Sequence, residues 1–481
     1  MAEHYDILII GAGLSGICAA HYLQQRCPSK RFAILEGRDA IGGTWDLFRY
    51  PGVRSDSDMH TLGYSFRPWH GAQSIGEGGA ILRYIRETAH ERGIERHIRF
   101  GHRVLRAAWS SAANTWTLEV ACGSEQRPER FTCGFLFMCN GYYDYAAGYT
   151  PEWPGVEDFA GRIVHPQHWP ADLDYAGKRI IVIGSGATAV TIVPALAQQA
   201  AHVTMLQRSP TYMLALPTED ASVARFYRRF PRAIAHSLAR WKSIITGLAF
   251  YLLARKRPAR VRRELLQQAA NQLGPAADIA HFTPRYNPWD QRLCVAPDGD
   301  LFAAIRNGSA SVVTGRIARF TPGGIQLQSG AELAAEIIVT ATGLTLNLLR
   351  SVPLTIDGAP VEIASRLTYR GAMYSDIPNF VAVFGYTNAS WTLKAELIAD
   401  YACRVLNHMD RRGYTRCIPR RGGAPAADTP AFPLSSGYVQ RARDTLPRQG
   451  VREPWRIHQN YFRDLLSLRF SPLDDGVLEF L

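Results

Sequence analysis

Two glycine-rich turns are the residues of this chain best suited to do chemistry. Gly11-Ala12-Gly13-Leu14-Ser15-Gly16 follows the apolar run Tyr5–Ile10, and Gly184-Ser185-Gly186-Ala187-Thr188-Ala189 follows the run Lys178–Ile183. A strand entering such a turn and leaving it as a helix lets backbone amides approach a pyrophosphate at the positive end of the helix dipole. The strand after the first turn, Arg31–Glu36, ends on an acid 25 positions beyond Gly11, where a ribose hydroxyl needs a carboxylate acceptor. The strand after the second, His202–Leu206, runs into Gln207-Arg208 instead. An acid there would repel a 2′-phosphate, whereas Arg208 can pair with one, so the second site is expected to prefer NADPH to NADH. Two nucleotides on one chain imply electron transfer between them.

The elements that must position these turns follow from the pattern of apolar runs. At 481 residues, 47% hydrophobic and 20% charged, the chain is ordinary globular protein with room for two or three domains. The reading is α/β: two Rossmann-like dinucleotide-binding domains with a helical insertion. A first segment, 1–145, carries the first turn, a helix over Ile81–Gly93 and a strand-rich stretch from Arg99 to Phe137. It closes on Phe135–Cys139 and Asn140-Gly141. Residues 146–175 read as a hinge or linker. The second nucleotide domain spans 176–343, with a basic helical insertion at about 215–280, a strand pair around Ser311–Thr314 and Ile325–Gln328, and a last apolar strand ending at Thr342-Gly343. Residues 344–481 return to the first domain and add a C-terminal tail.

Other classes lack their residues. There is no Gly-x-x-x-x-Gly-Lys-Ser/Thr phosphate loop, no Gly-x-Ser-x-Gly elbow and no His-Glu-x-x-His, which removes the commoner NTPase, hydrolase and zinc-protease readings. Eight cysteines are scattered without a Cys-x-x-Cys pair, so neither a disulfide reductase nor a metal site is expected. Met1 leads directly into the first strand with no secretory pattern, and a cytoplasmic chain is expected. The net charge of +12 is concentrated: residues 225–263 hold twelve Lys or Arg and no acid. Within them Ile244–Ala254 is an apolar run too short to span a bilayer, for which roughly 20 residues are needed. Two readings stay open, a helical insertion that covers a domain with its arginines solvated, or a peripheral seat on the inner face of the membrane. Nothing points to nucleic acid.

Two longer motifs carry a resemblance. Phe159-x-Gly161-x-x-x-His165-x-x-x-Trp169-Pro170 lies between the nucleotide turns, and Gly42-Gly43-Thr44-Trp45 with Tyr50-Pro51-Gly52 and Asp56 follows the first ribose strand. Glycines there let the backbone run close to a cofactor, and Trp45 can pack on a flat ring or serve as a core aromatic. Asp56 stands beside Arg54, so a plain ion pair and a cofactor-facing seat are both open. With these motifs the chain resembles the flavin-dependent Baeyer–Villiger monooxygenases. Trp169-Pro170 sets it apart from the related N/S-oxygenases, and Leu47–Trp69, Phe282–Phe302 and Gly385–Lys394 are most similar to the mycobacterial subgroup that activates the prodrug ethionamide.

The resemblance implies FAD in the first domain, NADPH in the second, and O2 added to the reduced flavin as a C4a-peroxide that attacks an apolar ketone to give an ester or lactone. Thioethers and thioamides are further candidate substrates. It implies that Arg292, in the loop Phe282–Cys294, faces the reacting oxygen, that Asp56 orients it or holds it away during reduction, and that His165 is a conformational residue linking the domains. Gln291 departs from the family's usual Lys. An N/S-oxygenase without Baeyer–Villiger activity, and a non-enzymatic flavin-bound sensor or membrane module, are the alternative readings.

Overall fold

The computed structural model describes residues 2–275, 278–432 and 434–481. The run ahead of the first glycine turn forms β1 (Glu3–Ile10), whose residues from Ile7 onward are buried on both faces. A strand covered on both faces belongs inside a parallel sheet with helices above and below. It is followed by helix α1 (Leu14–Arg26) and strands β2 (Phe32–Leu35), β3 (Ile98–Arg99), β4 (His102–Ser110), β5 (Thr115–Cys122) and β6 (Arg127–Met138). β1 lies between β6 and β2, parallel to both, while β4, β5 and β6 form an antiparallel meander that alternates buried and exposed residues.

A second, all-parallel sheet holds β7 (Arg162–Val164), β8 (Arg179–Ile183), β9 (His202–Gln207), β10 (Ala310–Thr314) and β11 (Ile337–Thr340), in the order β10-β9-β8-β11-β7. Helix α2 (Ala187–Leu196) covers it from the second glycine turn. Afterwards the chain returns to the first sheet as β12 (Leu354–Ile356), β13 (Ala359–Pro360) and β14 (Phe380–Ala382). β12 adds to β4, and β14 pairs with the far end of β6 beyond the point where β5 leaves it. The nine-stranded sheet is therefore assembled from two stretches of sequence separated by the whole second sheet.

Two details differ from the sequence reading. Ser311–Thr314 and Ile325–Gln328 are not partners: the former is β10, parallel to β9, and the latter sits in a separate antiparallel sheet of Ile317–Thr321, Gly324–Leu327 and Glu332–Ala334. Both runs are short and half apolar, and only the three-dimensional position of β9 selects the partner. The stretch 146–175 is also not all linker, because Arg162–Val164 is an edge strand of the second sheet.

The insertion is helical: α3 (Ala221–Arg229), α4 (Arg232–Lys256) and α5 (Pro258–Leu273). Asp220 caps α3 by accepting from the amides of Ser222 and Val223, and Pro231 and Pro258 punctuate the joints, where a proline's missing N–H costs a helix nothing. Helix α6 (Trp391–Arg412) packs its buried face along α1 and stops at Gly413, whose φ of 70° suits glycine. The last stretch of the chain is structural: Cys417–Pro419 pairs with Leu478–Phe480, and Leu468, Leu473 and Leu478 complete the core under α1 and α6.

Candidate active site

The first turn is locked by its own backbone. Gly11 has φ of 100°, and a Cβ there would lie 2.6 Å from the Cys139 carbonyl oxygen; at Gly16 it would lie 1.9 Å from the carbonyl oxygen of Gly11. Gly13 faces Gly43, whose φ is 55°. The side chain of Glu36 is buried and closes the turn: one carboxylate oxygen accepts from the Ala12 amide at 2.7 Å and the other from the Arg38 amide at 2.9 Å. Burial pushes the Glu36 carboxyl up, and these two bonds oppose the shift. The loop beyond is pinned by Asp46, only 4% exposed, which pairs with Arg38 and Arg49 at 2.6 Å and Arg86 at 3.0 Å.

A cavity of about 820 Å³ opens above this turn. Gly11, Gly13, Glu36, Gly43, Thr44, Trp45, Asp56 and Arg292 all line it, and Ala187, Thr188 and Thr191 of α2 reach it from the second domain. Asp56 pairs with Arg292 at 3.1 Å. Arg54 does not compete, being held by Asp300 at 2.5 Å. Asp56 raises the pKa of Arg292 against the effect of burial, so the guanidinium is a permanent cation. Around it stand Tyr142, Tyr143 and Tyr438, each pushed up by burial and pulled back by Arg292, which leaves them neutral hydrogen-bonding groups. The hydroxyls of Tyr142 and Tyr143 meet at 2.7 Å, and the Tyr142 ring stacks on Trp391 with centroids 4.8 Å apart. The Trp391 indole donates to Ser15 Oγ at 2.8 Å, tying this wall to the helix of the first turn.

The second turn is more open. Gly184 repeats the close approach of Gly11: its φ is 135°, and a Cβ would lie 2.3 Å from the Ala341 carbonyl oxygen. At Gly186 a Cβ would meet nothing within 4 Å, and Ala189 carries its methyl group fully buried against the second core. Arg208 is exposed at the end of β9. A further cation stands near it: Arg441 lies 3.4 Å over the ring of Tyr149, and its pKa is lowered by burial and by the charge of Arg208. Neither Arg208 nor the glycines of this turn line the Arg292 cavity.

The fingerprint Phe159–Pro170 holds the crossing between the sheets. Phe159 is buried against Phe320, and a Cβ on Gly161 would lie 2.3 Å from the Glu336 carbonyl oxygen. The His165 Nε2 faces the Gly343 carbonyl oxygen at 3.3 Å and its Nδ1 accepts from the Gln167 amide at 3.2 Å, an arrangement that needs the neutral ring protonated on Nε2. Burial lowers the pKa of His165 accordingly. Gln167 and His168 donate to the carbonyls of Asp144 and Ala146, while the Tyr149 amide bonds to Gly343. The two strands of chain that cross between domains are thus stitched together at one place. Trp169 packs on the second core and does not reach the cavity.

The match to known proteins follows this geometry. Residues 9–72 match a model for an NAD(P)-binding Rossmann-like domain, and residues 73–247 one for flavin-binding monooxygenase-like proteins. The chain is 53% identical to the FAD-containing monooxygenase EthA of Mycolicibacterium smegmatis over 482 aligned positions, covering 100% of this chain and 98% of that one. The chain belongs to the flavin-binding monooxygenase family. It is 46% identical to the probable FAD-binding monooxygenase AlmA of Acinetobacter baylyi, covering 100% of this chain and 97% of the relative. Among solved structures, a steroid monooxygenase bound to NADP matches with a TM-score of 0.77 at 21% identity over 99% of each chain. An open cyclohexanone monooxygenase matches with a TM-score of 0.71 at 20% identity over 87% of this chain and 90% of that one. These likenesses give this monooxygenase the two-dinucleotide-domain fold, and the family models mark it as flavin-binding with an NAD(P)-binding Rossmann-like domain. The sequence reading missed Tyr142, Tyr143, Tyr438, Trp391 and Arg441. An aromatic pair directly after a strand end at Asn140-Gly141 was a usable signal for the first two; the others come from distant stretches with no local mark.

Proposed function

We propose that this monooxygenase inserts one oxygen atom of O2 into apolar ketones to give esters or lactones, consuming NADPH and releasing water, and that it also oxygenates sulfides and thioamides. The observation that carries the reading is the Asp56–Arg292 pair, a permanent cation at the place where the cavity of the first turn meets α2 of the second domain. Bound FAD, reduced by NADPH, supplies the electrons and activates oxygen. In this reading residues 1–145 and 344–481 hold FAD, with Glu36 on the ribose and Gly11, Gly13 and Gly16 under the pyrophosphate. Residues 176–343 hold NADPH, with Gly184, Gly186 and Ala189 forming its turn and Arg208 on the 2′-phosphate.

The chain's own residues do the rest. Arg292 stabilises negative charge on oxygen as it develops, and a fixed cation in a partly closed site needs no reorganisation to do so. Asp56 is a positioning residue that aims the guanidinium. Tyr142, Trp391 and Trp45 narrow the cavity and limit water. Glu36 is turned to the first turn by two amides and keeps lone pairs free for ribose hydroxyls. His165, outside the cavity lining, holds the crossing segments in register.

The test is NADPH-dependent oxygen uptake with linear and cyclic ketones and aryl thioethers, with product mass and hydrogen peroxide followed together. Ester formation that disappears in Arg292→Ala while FAD remains bound supports the reading. Sulfoxide without any ester would replace it with a sulfur oxygenase. Peroxide as the only product from every ketone and thioether would count against oxygen insertion.

A further inference from the structure

The long insertion helix α4 is amphipathic in the reverse sense. Its charged residues inside the span turn inward: Arg240, 8% exposed, pairs with Glu396 at 2.5 Å and donates to the carbonyls of His60 and Gly63, and Lys242 pairs with Asp220. Its large apolar residues turn out. Ile234 is 50% exposed, Leu238 38%, Trp241 40% and Ile245 54%, at a spacing that puts them on one face. No exposed residue between Ala233 and Leu252 is charged. The face continues onto a second element, because Trp241 stacks on Phe462 with centroids 6.0 Å apart, and Phe462, Leu466 and Phe470 are also exposed. An uncovered apolar face of this extent marks an interaction surface.

Its borders say what covers it. Exposed Arg228, Arg229 and Arg232 stand before the apolar span and exposed Arg255, Lys256 and Arg257 after it, while Arg463 and Arg469 alternate with the apolar residues of the second element. Cations at both ends of a face of aliphatic and aromatic groups match phosphate headgroups over acyl chains. No helix among the described residues is long and apolar enough to cross a membrane, so contact would be with one leaflet. The inner side of α4 faces the site: Ile244 packs on Tyr386 and Leu393, and Tyr386 lines the Arg292 cavity.

We propose that α4 and the segment 462–470 form a docking surface for an anionic lipid leaflet, which seats the cavity one helix away from the apolar phase. Insertion of Trp241, Ile234 and Ile245 among acyl chains supplies the apolar contact, and the flanking arginines select negatively charged headgroups. An apolar substrate dissolved in the leaflet then has a short path to the cavity.

The experiment is co-sedimentation of the full-length, FAD-loaded protein with vesicles of equal parts phosphatidylglycerol and phosphatidylcholine, against phosphatidylcholine alone. Binding to the anionic vesicles is expected to exceed binding to the neutral ones and to weaken with salt. Ile234→Glu with Ile245→Glu should lower partitioning by about tenfold or more, with FAD content and turnover of a water-soluble substrate unchanged because both side chains point away from the site. Arg228→Glu with Arg229→Glu should lower binding to the anionic vesicles alone. Wild-type protein left in the supernatant, or an I234E/I245E variant that binds as well as wild type, overturns the proposal. So does a dimer that I234E/I245E dissolves in the absence of vesicle binding, which would assign the face to a second copy of the chain.

Discussion

The two glycine turns look alike as letters and differ as objects. At the first, two glycines are enforced by contact: a Cβ on Gly11 would press on the Cys139 carbonyl and one on Gly16 on the carbonyl of Gly11, while Gly13 lies in ordinary contact with Gly43 and buried Glu36 closes the loop from below. At the second only Gly184 is so constrained; Gly186 faces open space and Ala189 keeps its methyl group. The first turn is closed by packing, and the second is open on the side of Gly186. The difference is one of closure: Gly42 and Gly43 of the following loop lie against Ala12 and Gly13 at the first turn, whereas the Gly186 side of the second is open.

Substitutions at equivalent positions break that comparison most sharply. Gly16→Ala puts a methyl group 1.9 Å from a carbonyl oxygen, so loss of FAD and of folded protein is expected, at a cost above about 4 kcal/mol. Its counterpart Ala189→Gly should cost about 1 kcal/mol, the helix-propensity difference, and Gly186→Ala should leave stability unchanged. Thermal melts and flavin content of the three variants check this; equal losses at both turns would remove the distinction.

The next effect separates charge from binding. Arg292→Ala should keep FAD and lower the oxygenation rate by roughly 10²–10³, the usual cost of one preorganised donor at a developing oxyanion. Arg208→Ala acts on the open site: kcat/KM for NADPH should fall by about 10- to 100-fold while that for NADH stays nearly constant, since only the former carries the 2′-phosphate. Steady-state kinetics with both nucleotides, ketone held saturating, distinguishes these variants. A parallel fall for NADH would mean that Arg208 supports the fold and not the phosphate.

The smallest effect is on pH dependence. Burial holds His21 and His236 at about 4, against an ordinary value of 6.5, and lowers His165 as well. The unfolded chain takes up these protons first as pH falls, so the histidines' contribution to stability is complete above about 6.5 and is lost toward about 4. The two strongly shifted groups contribute on the order of 3 kcal/mol each across that window. Urea melts of His236→Gln and wild type between pH 7 and 4 should converge at low pH; identical slopes would show that His236 does not titrate in this way.

The turns, the acid at Glu36 and the Phe159–Pro170 motif were legible because each is a local demand on backbone shape or charge, written in consecutive residues. The pairing of Ser311–Thr314 was not, since a four-residue run rich in β-branched residues suits either sheet and β9 chooses it by position alone. Arg54 and Asp56 illustrate the same limit: two residues apart in sequence, they take Asp300 and Arg292 as partners, each more than 200 residues away. The basic insertion was readable as charge, but the direction of its faces was not. Composition left solvated arginines and a membrane-surface seat both open; in the structure most of the arginines are exposed, but Arg240 is buried and Trp241 is exposed.

By itself the sequence determined the two nucleotide-binding halves, because glycine at a positive φ and a strand-to-helix turn are properties of a short stretch of backbone. The resemblance of two motifs pointed to the chemistry. Only the tertiary structure brought together the residues proposed to carry it. The tyrosines and Asp56 reach Arg292, and Trp391 stacks on Tyr142, from segments spread between residues 56 and 438, and their meeting depends on a sheet that takes strands from both sides of the second domain. Long-range packing sets those contacts, and no local pattern records it.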